Sequence, residues 1–146
     1  GNDFYRDALA EGFARDGARH GWDTFEVPTF LPVIVNGDIE KAADWVRPML
    51  ALYIGGMGAK GANFHFDVFA RLGYEPDCLK IQELYLSGQK AEAVAAVPTA
   101  MVEDIALIGP LAKIRDEIQL WRETVVTQLL VNTDIPTLRA LAEIVG

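Results

Sequence analysis

Gly56-Met57-Gly58-Ala59-Lys60-Gly61 spells G-x-G-x-x-G, the spacing that lets a backbone turn approach a pyrophosphate. That chemistry needs a strand before the first glycine and a helix N-terminus after the last, so that phosphate oxygens meet unpaired N–H groups. Here the residues before the glycines carry helical spacing, and no acidic residue closes a strand about twenty positions later. The literal match therefore argues against a dinucleotide site. A glycine-rich loop remains (Gly55, Gly56, Gly58, Gly61), with two open readings: a mobile cover over a site, or a plain surface connection.

The loop delivers Asn63, Phe64 and His65. An imidazole titrates near neutrality, so His65 could orient or protonate a substrate; it could equally cap the helix it opens or pack beside Phe69. Lys60 and Arg71 could hold an anionic group, against the simpler reading of solvated charges. Tyr53, at the entry to the loop, has the amphipathic character of a half-buried residue with its hydroxyl at the rim. Asn36, Asn132 and Thr133 follow the two most strand-like segments, where an α/β fold places its polar site groups. His20, His65 and Cys78 share no metal-ligand spacing, so no metal site is expected.

The elements that must position these residues follow from patterning. Residues 3–17 read as a helix with Phe4, Ala8, Leu9, Gly12 and Phe13 on one stripe. Phe25 to Val35 is a continuous apolar run rich in β-formers, with paired strand expected mainly from Thr29 to Val35. Pro28 and Pro32 are four apart, so both missing N–H groups should face one side and leave a donor-poor edge. Asp38 should cap a helix that buries Ile39, Ala42, Ala43, Val46, Met49, Leu50 and Tyr53, kinked by Pro48 near Arg47. His65, Phe69 and Leu72 share a helical face ending at Gly73. Pro76 opens a further helix through Leu79, Leu84 and Leu86, closed by Ser87-Gly88. Ala91 to Val97 is a short helix, and Met101, Ile105 and Ile108 suggest another, stopped at Gly109. Leu111, Ile114, Ile118 and Trp121 follow Pro110 with amphipathic spacing. Thr124 to Val131 reads as a second strand, and a last helix should turn Leu138, Leu141 and Val145 inward. Two strands with about seven helices thus suggest an α/β chain, a parallel sheet or barrel cut open, whose strand edges need partners.

Composition bounds the partners. The 146 residues are 51% hydrophobic and 23% charged, with a formal net charge of −8, which describes one folded domain. An acidic chain without a basic cluster repels phosphate backbones, so no nucleic acid and no anionic membrane is expected. Cys78 is the single cysteine; no disulfide within the chain can form, and an intracellular, cytoplasmic setting is expected. No apolar run is long enough to span a bilayer, and the amphipathic start does not read as a signal peptide.

At ALYIGGMGAKGANFHFDVFARLGYE the chain resembles the luciferase-like monooxygenase superfamily, in particular its actinobacterial branch dependent on the deazaflavin coenzyme F420. VPTFLPVIVNGDIEKAADWVRPMLALYIGG is similar to that family's seventh barrel strand and following helix, and VVTQLLVNTDIPTLRALAEIVG to its eighth strand and closing helix. KIQELYLSGQKAEAVAAVPTAMVEDIALIGPLAKIRDEIQLWRE is similar to the helical insertion between them. The resemblance covers essentially all of residues 1–146. It implies the C-terminal portion of a (β/α)8 TIM barrel, a fold of about 250 residues when complete.

The resemblance further implies a parent that is an oxidoreductase or monooxygenase, passing a hydride between F420 (or FMN) and a small organic substrate. The glycine loop would then be a lid whose closure excludes water. Asn36, Tyr53, Lys60, Asn63, Arg71, Asn132 and Thr133 would be substrate- or cofactor-binding candidates, and His65 a catalytic candidate. The fragment alone is expected to hold no cofactor and to be inactive, because the earlier strands carry most cofactor contacts. Its open sheet is expected to be completed as a homodimer. The rival reading is a small self-associating helical or α/β binding module without catalytic activity, with the loop and the Phe64, Phe66 and Phe69 cluster as its contact surface.

Overall fold

A computed structural model describes residues 2–146, with side chains from Tyr5 onward. Phe4, expected on the apolar stripe of the first helix, has its side chain outside the described residues. The first helix, α1 (Asn2–Phe13), ends earlier than its pattern predicts. Phe13, the last residue of the helix, packs edge-on against Trp22 and Phe25, at 5.1 and 5.5 Å between ring centroids. Phe25 therefore belongs to a turn cluster, and the strand begins only at Pro28.

Strand β1 (Pro28–Val35) is the centre of the sheet. It leads to α2 (Ile39–Ala43) and α3 (Arg47–Gly56), the two halves of the single kinked helix that the periodicity predicts. The break falls at residues 44–46 because Pro48, in the first turn of α3, cannot continue an earlier helix. Asp38 caps α2 as expected, its carboxylate accepting from Lys41 N at 3.2 Å. Arg47 pins the break: its guanidinium donates to Glu40 (2.6 Å), Asp44 (2.5 Å), Thr99 Oγ1 (2.7 Å) and the Val97 carbonyl (3.1 Å).

Next come α4 (Phe64–Phe69), a wide π turn at residues 70–74, α5 (Glu75–Leu86), α6 (Lys90–Ala95) and α7 (Thr99–Glu103). Leu72 leaves the His65–Phe69 face and is exposed, because Gly73 at φ 101° and the wide turn shift the phase of α spacing. With α2 and α3 these helices enclose the larger core, around Leu50, Ile54, Cys78, Ile81, Met101 and Val102, all nearly inaccessible.

The helix expected through Met101, Ile105 and Ile108 is corrected. It ends at Glu103, and Leu107–Gly109 is instead a third strand, β2. The spacing of those three residues mimics a helix, but a short apolar run has no periodicity of its own. Val33, Ile34 and Val35 pair in parallel with Leu107, Ile108 and Gly109, so tertiary pairing decides its conformation. Gly109 sits at φ 119°, which ends the strand sharply. Helix α8 (Leu111–Ile118) and a 3₁₀ turn at residues 119–123 follow. The last strand, β3, runs Gln128–Asn132, later than expected, because residues 124–127 still descend from the 3₁₀ turn. Helix α9 (Ile135–Val145) closes the chain, capped by Asp134.

The chain is therefore a mixed α/β fold with a parallel sheet of order β2-β1-β3; among the described residues there are three strands and nine α-helices, not two and seven. One sheet face packs Leu31, Val33 and Leu107 against Ile114, Ile118 and Leu141 of α8 and α9. Of the three residues expected to turn inward from α9, only Leu141 is buried; Leu138 and Val145 are about half exposed. The opposite face leaves Phe30 and its register partner Leu130 55% and 53% exposed. Parallel strands are normally covered on both faces, so this surface is an uncovered one.

Strand direction settles which edge the prolines occupy. Asn36 N–H donates to the Gly109 carbonyl toward β2 (2.9 Å), and the Val27 carbonyl accepts from Thr127 N–H toward β3 (3.0 Å). In-plane groups alternate sides along a strand, so Pro28 and Pro32 both face away from β3. Over residues 28–32 that edge keeps Phe30 N–H as its donor, which is the donor-poor edge their spacing predicts. No helix among the described residues is long and apolar enough to cross a membrane.

Candidate functional site

Two separate groups of candidate residues emerge. The first lies where the chain leaves the carboxyl ends of β1 and β3, the end at which parallel α/β folds place their sites. A cavity of about 520 Å³ opens there, floored by Phe30, Pro32 and Ile34 and walled by Trp45, Val46 and Met49. Asn36, Asn132, Thr133, Asp134 and Thr137 bring polar atoms to its lining. Three of the residues picked from sequence, Asn36, Asn132 and Thr133, are thus gathered on one cavity although they lie almost a hundred positions apart.

Their local roles differ. Asn36 uses its side-chain oxygen to accept Asp38 N–H at 2.9 Å, an Asx turn that redirects the chain into α2. Its amide nitrogen donates no hydrogen bond among the described residues, so it is available to a ligand. Asn132 is opposite Pro32 in the β1–β3 register and exposed. Asp134 accepts Thr137 N–H at 2.7 Å. That bond, the first turn of α9 reaching the carboxylate, holds its pKa below the usual aspartate value. The lining holds no lysine or arginine. It suits a largely apolar body with polar atoms at its edge, and provides no cation for a phosphate.

The second group surrounds the glycine-rich segment at the far end of α3, and none of it lines that cavity. Gly55 and Gly56 are not loop residues: they form the last turn of α3, under the ring of Tyr85 on α5. A Cβ at Gly55 would lie 2.6 Å from Tyr85 Cγ, and one at Gly56 2.5 Å from Cε1. These glycines are there because two helices approach closely. The remaining loop is a tight turn in which Ala62 N donates to Ala59 O (2.9 Å) with Gly61 at φ 80°. Gly58 lies against the Asn63 backbone, where a Cβ would meet Cα at 2.8 Å.

Asn63 closes this turn and is 2% exposed. Its side-chain oxygen accepts His65 N–H (3.0 Å) and Phe66 N–H (3.2 Å), capping α4. Its amide donates to the carbonyls of Tyr53 (2.9 Å) and Ile54 (2.8 Å), capping the end of α3 from below. One side chain thereby satisfies orphan groups at two helix ends. His65 stacks on Tyr53 at 4.6 Å between centroids, 23° from parallel, with Phe64 edge-on at 5.5 Å. Arg71 Nε donates to the Asp67 carbonyl at 3.0 Å, and Lys60 is exposed on the turn. The side chains of Asn63 and Arg71 are spent on the fold, whereas Lys60 extends toward solvent. His65 is not the cap of α4, which is Asn63, but part of an aromatic stack.

Sequence reading missed Trp45, Asp134 and Thr137. Trp45 is 78% exposed at the cavity rim; a tryptophan off the apolar stripe of α2–α3 was the available signal. Among the described residues no group of histidine, cysteine and carboxylates could hold a metal ion.

Comparison with known proteins accords with this architecture. Residues 3–128 match the luciferase-like monooxygenase family. A Mycobacterium tuberculosis (strain ATCC 25618 / H37Rv) protein named "putative coenzyme F420-dependent oxidoreductase" is 38% identical over 128 residues, 88% of this chain. The chain spans 37% of that relative's length. No solved structure matches. With a family match across most of its length and a relative of this identity, the chain belongs to the luciferase-like monooxygenase family.

Proposed function

We propose that the chain is the C-terminal part of a (β/α)8 barrel in a coenzyme F420-dependent oxidoreductase, and that the cavity at the carboxyl ends of β1 and β3 is part of its active-site mouth. The observation that carries this reading is the convergence of Asn36, Asn132 and Thr133 on one cavity at the site-bearing end of parallel strands, in a chain similar to a protein named for F420. The uncovered face at Phe30 and Leu130 fits strands whose other side is packed by the rest of a barrel.

The donor set fits one part of such a cofactor. Asn36, Asn132 and Thr133 would hydrogen-bond the polar edge of a heteroaromatic ring, and Trp45, Met49 and Phe30 would contact its apolar surface. A bound deazaflavin supplies a ring carbon that takes or gives a hydride. The cofactor's phosphate has no cationic partner in this lining, so its contacts belong to residues outside the cavity. The apolar floor formed by Phe30, Pro32 and Ile34 would exclude water from the reacting pair. Because the chain covers 37% of its relative's length, we assign activity to the complete polypeptide and none to this part alone. His65 and Lys60, remote from the mouth, carry no step in this reading.

Fluorescence titration of F420 tests it. The polypeptide that includes this chain at full natural length should bind F420 saturably, and Asn132→Ala with Trp45→Ala should weaken that binding. Saturable binding of FMN in place of F420 would change the cofactor. Unaltered F420 affinity in both variants would remove the cavity from the site.

A further inference from the structure

The break between α2 and α3 carries one wall of the cavity at the strand ends. Trp45 and Val46 lie within the break and Met49 in the first turn of α3, and all three line the cavity. Trp45 N–H donates to the Ala42 carbonyl (3.3 Å) and Val46 N–H to the Ala43 carbonyl (2.9 Å), tight turns that redirect the chain without gripping the indole. The exposed Trp45 ring has little packing of its own, so the backbone of residues 44–46 decides where it stands. That backbone is held by a side chain outside the cavity lining. Arg47 is 11% exposed at its side chain, and its five N–H groups meet five acceptors. Nε donates to the Val97 carbonyl (3.1 Å). One terminal nitrogen donates to the Glu40 carbonyl (3.3 Å) and the Asp44 carboxylate (2.5 Å), the other to the Glu40 carboxylate (2.6 Å) and Thr99 Oγ1 (2.7 Å). Thr99 Oγ1 in turn donates to the second Glu40 oxygen at 2.6 Å, which closes a ring of three side chains. The guanidinium therefore reaches back across Trp45 to residues 40 and 44, and outward to the junction of α6 and α7.

We propose that Arg47 is the positioning residue of this cavity: it fixes the backbone on which Trp45 stands at the rim, and thereby strengthens ligand binding without touching the ligand. The effect on binding rests on the reading of the cavity as an active-site mouth; the placement of the indole does not. Every donor of Arg47 is already used, so its influence on the cavity passes through residues 44–46. Lysine cannot take its place. An ammonium offers three donors from one point, whereas the acceptors here lie on α2, on the break and at the α6–α7 junction, a spread that suits a planar fork. Thr99 holds the fork and Glu40 together, and valine at that position would keep the shape and remove both bonds. Val97 and Met101, on either side of the junction, are buried in the larger core. The clamp thus ties an exposed rim to a packed interior, the support that a binding group needs in order to keep one geometry.

Two measurements on the polypeptide at full natural length test this. In the first, fluorescence titration of F420 compares Arg47→Lys, Trp45→Ala and the double variant. Arg47→Lys should weaken binding by about tenfold alone, and by less than about twofold in the Trp45→Ala background, where the contact it supports is already gone. A general loss of order would instead add to the Trp45→Ala loss, and additive losses would overturn the assignment. Thr99→Val is the milder variant should Arg47→Lys fold poorly; it should weaken binding by about threefold, with the same dependence on Trp45. The second measurement needs no cofactor. With fluorotryptophan in place of tryptophan, the fluorine NMR line of Trp45 is the one lost in Trp45→Phe. Arg47→Lys and Thr99→Val should shift or broaden that line and leave those of Trp22 and Trp121 in place. An unmoved Trp45 line, or equal movement of all three, would overturn the assignment. If Trp45→Ala leaves F420 affinity unaltered, the mouth reading fails, while the fluorine line still decides whether Arg47 places the ring.

Discussion

Replacing Asn63 separates a structural loop from a working one. Asn63→Ala deletes two groups of bonds at once. The side-chain oxygen caps α4 through His65 N and Phe66 N, and losing such a cap costs about 1 kcal/mol. The amide bonds the carbonyls of Tyr53 and Ile54 at the end of α3, in a site 2% exposed. Leaving a buried acceptor unsatisfied costs about 1–3 kcal/mol; water reaching the Tyr53 side of the gap moderates this. The expected loss is about 2–4 kcal/mol, a large share of the stability of a single domain. Asn63→Ser retains a capping hydroxyl but cannot reach α3, so it should lose about 1–3 kcal/mol, less than alanine. Urea denaturation followed by circular dichroism, with the slope held in common, measures both. Alanine within about 0.5 kcal/mol of wild type, or serine as damaging as alanine, would refute the two-ended role.

Gly55→Ala should destabilise by about 1–3 kcal/mol, since the new methyl meets the stem of Tyr85, which cannot swing away. Gly56→Ala should cost less because it meets the ring edge, and thermal melts of both, with and without Tyr85→Ala, would show whether the clash is the cause. Tyr74 is pushed up to about 12 by burial and by its 2.7 Å hydrogen bond to Asp104. Its folded value lies above the free phenol value, so its contribution is whole below about pH 10 and is lost as pH rises through about 12. Tyr74→Phe should flatten stability against pH in that window, and an unchanged alkaline slope would refute the assignment. The Cys78 thiol is fully buried, and that burial, with Asp77 beside it, raises its pKa to about 11. It should react with a thiol reagent only through opening of the helical core, at a rate that rises with urea; prompt stoichiometric labelling of native protein would contradict this.

The residues that punctuate helices were legible without coordinates. Asp38 and Pro48 act locally: a carboxylate can cap where the chain turns into a helix, and a proline lets a helix start but not continue through it from before. The spacing of Pro28 and Pro32 announced a single donor-poor edge, because alternation is a property of any strand. Gly55 and Gly56 were misread as loop because glycine permits both a turn and a close contact. Only the ring of Tyr85, thirty residues away, shows which freedom is used.

The amino-acid order by itself determined the alternation of helices with two apolar strands, the acidic charge, the resemblance to a family and the choice of Asn36, Asn132 and Thr133 as groups just past strand ends. Each depends on neighbours along the chain or on pattern alone. Tertiary structure alone decided that Leu107–Gly109 is a strand, because its conformation is imposed by pairing with Val33–Val35. It also decided that Asn63 and His65 stand away from the cavity at the strand ends while Trp45 stands at its rim. Distance in space depends on how whole elements pack, and that is set by buried area and hydrogen-bond closure across the molecule, which no local pattern contains.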